Sequence, residues 1–546
     1  MEGFKLKKKS MLMWILGIAL SLTLLMAGCS NSDADASEES AGSDTTFNET
    51  GLPIVEEEIT LEIAGPYDAR TGSDYNNLET IKEINKDTNI NIDWQLSPSS
   101  DWTSKRNLML ASGDLPDVVL KLSPSDVVVG GAQGTFLPLE DMIAKYAPNF
   151  TNFLEEYPEV RDSITAPDGH IYSIPLANMA KYKRVSGNSL WINQKWLEQV
   201  GMEMPKTTED FKKVLEAFKA EDMNGNGDPN DEVPLAGIYG DGLHGLGFLY
   251  GSFNTLDETF IVKDDKVDFV RTSPEYKEVI KYISSLYQAG LIDQEMFTLE
   301  SSDLISKLSS GDKANVGAFY GWSPDQITNP DYKWDYGSPV LALQGPEGHQ
   351  VRGYLNPQLN PAVFAVTKKN QHPEATIRWI DKAFDPDMSF KLREGPNRVE
   401  QVADGKYEIV PEPEGFTAGE WRVKETPYNN FPYGSTQEMR EQLDLSNLKP
   451  GVLDPDKDEW FDLQEPNLVE WVFPEILFTN EQYDGITRYQ TDIMAYTDEM
   501  AAKWITGAAD IEADWDTYVK NLQEMGLEDY TQIYQDGYDT YKANQQ

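Results

Sequence analysis

Cysteine is almost absent: Cys29 is the only one in 546 residues. No internal disulfide can form, and a zinc site of paired cysteines and histidines is impossible. Histidine is nearly as scarce. The four (His170, His244, His349, His372) are scattered, with no HExxH pattern. A GxSxG nucleophile elbow and a phosphate-loop lysine motif are also missing. Positive charge is short: 46 Lys and Arg stand against 92 Asp and Glu, a net charge of −46. Nucleic acid needs a basic footprint, so a nucleic-acid partner is excluded. Electrostatic attachment to anionic lipid and a large polyanionic ligand are disfavoured on the same ground. Most of the charge reads as a solvated acidic surface. Beyond residue 26 no apolar run has the length of a membrane span, so any transport role needs a separate permease.

What is present starts at the N-terminus. Lys5, Lys7, Lys8 and Lys9 precede an apolar stretch from Met11 to Met26, then Ala27-Gly28-Cys29. A basic start, a short apolar core and small residues before a cut describe a secretory signal peptide over 1–28. The cysteine at the cut makes this run resemble a bacterial lipoprotein signal, with Met26 where leucine is usual. That resemblance implies lipidation of Cys29 by diacylglycerol, palmitate included, and a chain anchored at the extracellular face of the cytoplasmic membrane. The plain alternative is a transmembrane anchor. Residues 29–58 are rich in Ser, Asp and Glu and read as a flexible tether.

Removing 1–58 leaves 488 of the 546 residues, too many for one core and natural for two or three domains. Ile59, Leu61 and Ile63 alternate as a strand. Leu78, Ile81 and Ile84 share a helical face. Ile90, Ile92, Trp94 and Leu96 alternate again. A helix around Arg106 to Ala111 leads to a short apolar strand in SGDLPDVVL. This order predicts an α/β domain with a largely parallel sheet. The later half reads as mainly helical, with apolar faces in PEYKEVIKYISSLYQAG, PEATIRWIDKAF and ADWDTYVKNLQEMG.

Several segments in this order resemble extracellular solute-binding proteins of carbohydrate ABC importers, the large lipoproteins of Paenibacillus- and Bacillus-type bacteria. They are SGDLPDVV, PDGHIYSIPLA, LWINQKWLEQVGMEMPKT, EYKEVIKYISSLYQAGLID, GAFYGW, HPEATIRWIDKAF and the closing DWDTYVKNLQEMGLEDYTQIYQDGYDTY. Residues from about Phe390 to Gly434 match less well. The resemblance implies a two-lobed, periplasmic-binding-protein-like α/β fold with an interlobe ligand cleft and a helix-rich C-terminal region. Lobe 1 is expected over 59–178 plus 361–400, and lobe 2 over 179–360 plus 401–546. Crossings are expected near Ser173–Ser189 and Gly353–Val363. It further implies a carbohydrate ligand, ABC permease subunits as partners, a monomer, and no catalysis. Clefts of this kind are favoured ligand sites on physical grounds as well.

Residues 222–232 carry the motif with defined chemistry. Asp222, Asn224, Asn226 and Gly227 match the opening of an EF-hand calcium loop. Calcium needs six to eight hard oxygens, and alternate positions in a tight loop can point them inward. Asp228 would offer its backbone carbonyl. Position twelve is Val233 rather than glutamate, so Asn230, Asp231 and Glu232 stay open as the closing ligand. The expectation is a structural Ca2+ ion; the alternative is an acidic Asn-Gly turn.

Gly240-Asp-Gly-Leu-His-Gly245 is a formal dinucleotide fingerprint, but no helix pattern opens after it and it reads as a loop. Sugars stack C–H faces on aromatic rings and need Asp, Asn or Arg for their hydroxyls. The ligand-binding candidates are Tyr67 and Asp68 after the first strand, Trp102 after the second, Tyr320 and Trp322 in GAFYGW, and Arg352 and Tyr354 at a crossing. Trp196, Trp379 and Trp515 have core spacing. The competing function classes are a surface glycoside hydrolase, needing a carboxylate pair near cleft aromatics, and a sugar-binding sensor or adhesion lipoprotein.

Overall fold

The strand Ile59–Tyr67 buries Ile59, Leu61 and Ile63 and exposes Thr60 and Glu62, as the alternation requires. Helix Glu79–Thr88 buries Ile81 and Ile84, and Asn89 ends it in the left-handed region. Strand Ile90–Pro98 follows and pairs in parallel with the first, Ile59 opposite Ile90. Val118–Leu120 pairs in parallel on the other side. These observations come from a computed structural model that describes residues 46–545 apart from 185–187, 229, 243, 322, 325–327, 330, 337–341, 355–357, 404, 415, 417 and 445–460. Cys29, the signal segment, most of the expected tether and Trp322 lie outside the described residues.

Thr45–Gln546 form one unit built around two sheets. The first has six strands in the order 433–435, 174–178, 358–366, 118–120, 59–67, 90–98. Gln358–Val366 runs antiparallel to both neighbours; the other five strands share one direction, so the sheet is largely parallel, as expected, with one reversed strand. The reason is its route: this strand arrives from the second sheet rather than through a helical crossover, which alone would force a parallel entry. Its register shifts between Asn360 and Phe364, around Pro361, which has no N–H to give the ladder.

The second sheet has the order 189–192, 316–321, 233–236. Its central strand, Val316–Gly321, is buried throughout. Helix Thr208–Ala220 packs Phe211, Val214, Leu215 and Phe218 beneath it. Helix Pro274–Gln288 buries Tyr276, Val279, Ile280, Ile283 and Leu286, and the Ser273 hydroxyl accepts the Tyr276 N–H as its cap, a contact worth about 1 kcal/mol. The C-terminal helices Asn480–Thr506, Ile511–Glu524 and Leu527–Asn544 close over the same core. Trp196 and Trp379 are buried and Trp515 packs against the core. Among the described residues no helix is long and apolar enough to cross a membrane.

The chain leaves the first sheet after Asn178 and enters the second at Ser189, and it is back in the first at Gln358. The lobe bounds expected a third passage at 400/401, and it comes later in the chain. Tyr433–Ser435 pairs with Ile174–Asn178 in the first sheet, although 401–546 was assigned to the second lobe. The chain must therefore return before Asn480. On the way, Leu468–Val469 pairs in parallel with Arg352–Gly353, and the Tyr354 N–H donates to the Val469 carbonyl at 2.8 Å. A small sheet of Val399–Ala403, Lys406–Ile409 and Leu443–Asp444 was also not read from the sequence.

Candidate functional site

Where the second sheet meets these passages, a cavity of about 370 Å³ opens. Tyr320, at the end of the central strand, and Arg352, at the crossing, both line it. Phe248 joins them from the 3-10 helix Gly247–Phe253, stacked on Tyr320 with ring centroids 5.4 Å apart. The helix is pinned to the crossing: the Val351 N–H donates to the Gly251 carbonyl at 3.0 Å. A Cβ at Gly251 would stand 1.8 Å from the Val351 oxygen, so only glycine permits the approach. Arg352 Nη2 donates to the Asn188 carbonyl at 3.4 Å.

Two carboxylates the sequence did not single out, Asp257 and Glu258, complete the wall. The Asp257 carboxylate lies against Gly247, where a Cβ would stand 2.3 Å from its Oδ2. Enclosure raises the Asp257 carboxyl, partly offset by Arg271 and by a hydrogen bond from Tyr250. Enclosure, then the neighbouring Asp257 and Glu475, push the Glu258 carboxyl up to about 7. With 92 acidic residues, no local signal separates these from the rest. Their placement depends on the third passage.

The other candidates fall elsewhere. Trp102 is a correction: it is buried, and its indole N–H donates to the Lys121 carbonyl at 2.9 Å. It packs in the first sheet's core and offers no free face. Tyr67 ends its strand half-buried against that core, its carbonyl accepting from the Ser99 hydroxyl at 2.9 Å. Asp68 pairs with Arg70 at 2.7 Å, and that guanidinium holds its carboxyl below the ordinary range. Tyr354 carries the Arg184 guanidinium over its ring at 5.6 Å. The described residues of 240–245 form no helix, as read, but a short 3-10 helix, Gly247–Phe253, does open after them. A larger groove of about 970 Å³ runs between 161–169 and the C-terminal helices. It holds none of the candidates and lacks a stacked aromatic pair, so we take the smaller cavity as the site.

The acidic loop follows helix Thr208–Ala220. The Asp222 carboxylate accepts the N–H groups of Asn226 and Gly227 at 3.1 and 2.8 Å. Asn224 and Asn226 each accept the N–H two residues on, at 2.9 and 2.8 Å. Gly225 and Gly227 have φ of +66° and +94°, the bends that glycine allows. Asp231 is met by Asn226 Nδ2 at 2.6 Å and by Asn224 Nδ2 at 3.3 Å. Glu232 Oε1 accepts the Met223 N–H at 2.8 Å, while its buried Oε2 finds no partner among the described residues. Asn230 instead bonds to Asp228 at exposed positions. Among the described residues no three His, Cys, Asp or Glu side chains cluster as a metal site, because two positions here are amides. The Asn224 and Asn226 Oδ1 atoms each accept one N–H and, as amide oxygens, keep a second lone pair. The donor set and the orphaned Glu232 oxygen therefore fit a hard cation.

Comparison with known proteins agrees with this architecture. Residues 77–388 match the family described as bacterial extracellular solute-binding protein. The chain is 32% identical to the fructooligosaccharide ABC transporter substrate-binding protein FusA of Streptococcus pneumoniae serotype 4, over 95% of this chain and 96% of that one. It is 25% identical to the polygalacturonan/rhamnogalacturonan-binding protein YtcQ of Bacillus subtilis, over 75% and 76%. The FusA structure with kestose superposes with a TM-score of 0.75, covering 89% of this chain and all of that one. A FusA EF-hand mutant with fructo-nystose gives the same score at 31% identity, covering 89% and 100%. The chain belongs to the bacterial extracellular solute-binding protein family.

Proposed function

We propose that this protein captures an oligosaccharide or sugar derivative outside the cell and delivers it to the permease subunits of an ABC importer. The observation that carries the reading is one cavity holding Tyr320, Phe248, Arg352, Asp257 and Glu258. Aromatic rings suit sugar C–H faces, and charged groups suit hydroxyls. The volume lies within the usual range for ligand sites. The similarity to FusA, which binds fructooligosaccharides, supports the same ligand class here. Trp322, two residues beyond Tyr320 in sequence, joins the site in this reading, and Tyr67, Asp68 and Tyr354 stay ligand-binding candidates only if closure brings them to it.

Lobe 1 comprises 59–178 plus 361–400, extended by 433–435, and lobe 2 the rest of 179–546. Closure of the lobes excludes water from the bound sugar. Cys29 carries the lipid anchor. The 222–232 loop holds a structural calcium ion through Asp222, Asn224, Asn226, the Asp228 carbonyl, Asp231 and Glu232; Asn230 drops out. The protein acts as a monomer and catalyses nothing.

A glycoside hydrolase is the second reading, drawing on the raised Glu258 beside Asp257. The two are neighbours in one segment, whereas hydrolysis needs carboxyls flanking the scissile bond. A thermal-shift screen with neutral oligosaccharides tests the proposal. A ligand at 100 times its Kd stabilises by about 2.7 kcal/mol. No shift with any sugar sinks the binding reading, and product formation that one carboxylate substitution abolishes turns it to hydrolysis.

A further inference from the structure

We infer that Asp257 and Glu258 make the cavity selective for neutral, hydroxyl-rich sugars and against acidic ones. The inference rests on the carbohydrate reading of the cavity. Relatives of this chain include a protein named for an acidic polysaccharide and one named for a neutral oligosaccharide, so the family alone does not decide between the two classes.

The wall of the cavity decides it. Among its described lining residues Arg352 is the only cation, and it faces two carboxylates, Asp257 and Glu258. Glu475 lies close enough to oppose ionisation of Glu258. Arg352 is also engaged at the Asn188 carbonyl. A uronate carboxylate entering here finds one partly committed guanidinium and two like charges. Like charges brought together in an enclosed site penalise the wrong ligand more than they help the right one. Repulsion is already visible at Glu258, where Asp257 and Glu475 add to the effect of burial in raising its carboxyl.

For a neutral sugar the same groups are assets. An ionised carboxylate only accepts, and a hydroxyl can always donate. Asp257 and Glu258 offer acceptor oxygens to the sugar hydroxyls beyond the bond Asp257 takes from Tyr250. The Phe248–Tyr320 stack supplies an apolar surface in the same cavity. The neutral ligand thus meets acceptors and an aromatic face and introduces no new charge.

The test is calorimetric titration of the full chain with kestose, nystose and raffinose as neutral probes and trigalacturonate as the acidic one. The native protein should bind at least one neutral probe at least tenfold more tightly than trigalacturonate. In Asp257→Asn/Glu258→Gln, which keeps shape and removes charge, that ratio should shrink about tenfold, with cooperative melting retained. Trigalacturonate binding the native protein as tightly as the best neutral probe overturns the inference and leaves the carbohydrate reading standing. An unchanged ratio in a folded double variant also overturns it. Binding of none of the four sugars removes the carbohydrate reading, and this inference with it. The native ratio decides the matter even if the double variant fails to fold.

Discussion

Phe248 and Tyr320 stack with 25° between their ring planes. One ring stands on the 3-10 helix that Gly251 ties to the crossing, the other on the central strand of the second sheet. The aromatic wall of the cavity is thus assembled from three parts of the chain, and a displacement of the crossing reaches it directly.

Arg352→Ala should weaken sugar binding by about 10- to 100-fold, the worth of a charged hydrogen bond. The melting temperature should change little, because the guanidinium makes only a long contact to Asn188. Trp322→Ala should weaken binding by a similar factor, about that for losing a large apolar contact. Calorimetric titration with the best ligand from the screen measures both. Undiminished affinity removes the residue concerned from the site.

Asp222→Ala should lower the melting temperature and abolish any response to chelator. Asp222 accepts two backbone N–H groups, so some destabilisation follows without metal. The chelator response is therefore the discriminating measurement. Identical melting of the native protein with and without chelator, and no calcium by elemental analysis, would rule the ion out.

Asp381 predicts a pH dependence. Burial pushes its carboxyl from 3.8 up to about 6, despite hydrogen bonds from the Asn149 and Phe150 backbones. Between these values the folded state binds more protons than the unfolded one, so this group's contribution to stability falls as pH rises from about 4 to 6. Asp381→Asn cannot titrate. The stability difference between parent and variant, from urea melts across pH 4 to 7, should move against the parent as pH rises. A shift in the parent's favour contradicts the assignment.

Cys29→Ser should release the protein from the membrane fraction and remove the lipid mass. A variant that stays as membrane-bound as its parent, with a mass unaltered but for the substitution, refutes lipidation.

Most of the regular elements were legible. Period-two alternation marked Ile59–Tyr67 and Ile90–Pro98, and one-face spacing marked Pro274–Gln288 and Ile511–Glu524. The Val399–Ala403 hairpin was missed although it carries a local signal: Gly405, at φ +63°, follows an aspartate between two alternating runs. Tyr433–Ser435 has only three residues, too few for any period to show. At the site, Tyr320 and Arg352 came from segments with family character, and the structure brings them to one cavity. Trp102 misled because a tryptophan after a strand looks the same in sequence whether it faces a cleft or a core. Asp257 leans on Gly247 and Tyr250 nearby in sequence, but what makes it and Glu258 part of a site is the crossing at Arg352, about 95 positions on, which no local pattern encodes.

The pairing of Arg352–Gly353 with Leu468–Val469 has a mechanical result. Two of the three strands of chain that join the lobes are laced side by side, so they cannot swivel independently. In the proposed closure they act as a single axle, and the passage that follows Asn178 moves with them. Arg352 is mounted on that axle while its side chain reaches into the cavity. In the proposed closure a ligand that engages Arg352 grips the pivot as well as the wall, and a residue that stiffens the lacing should change how fast the jaws shut as well as how firmly they hold.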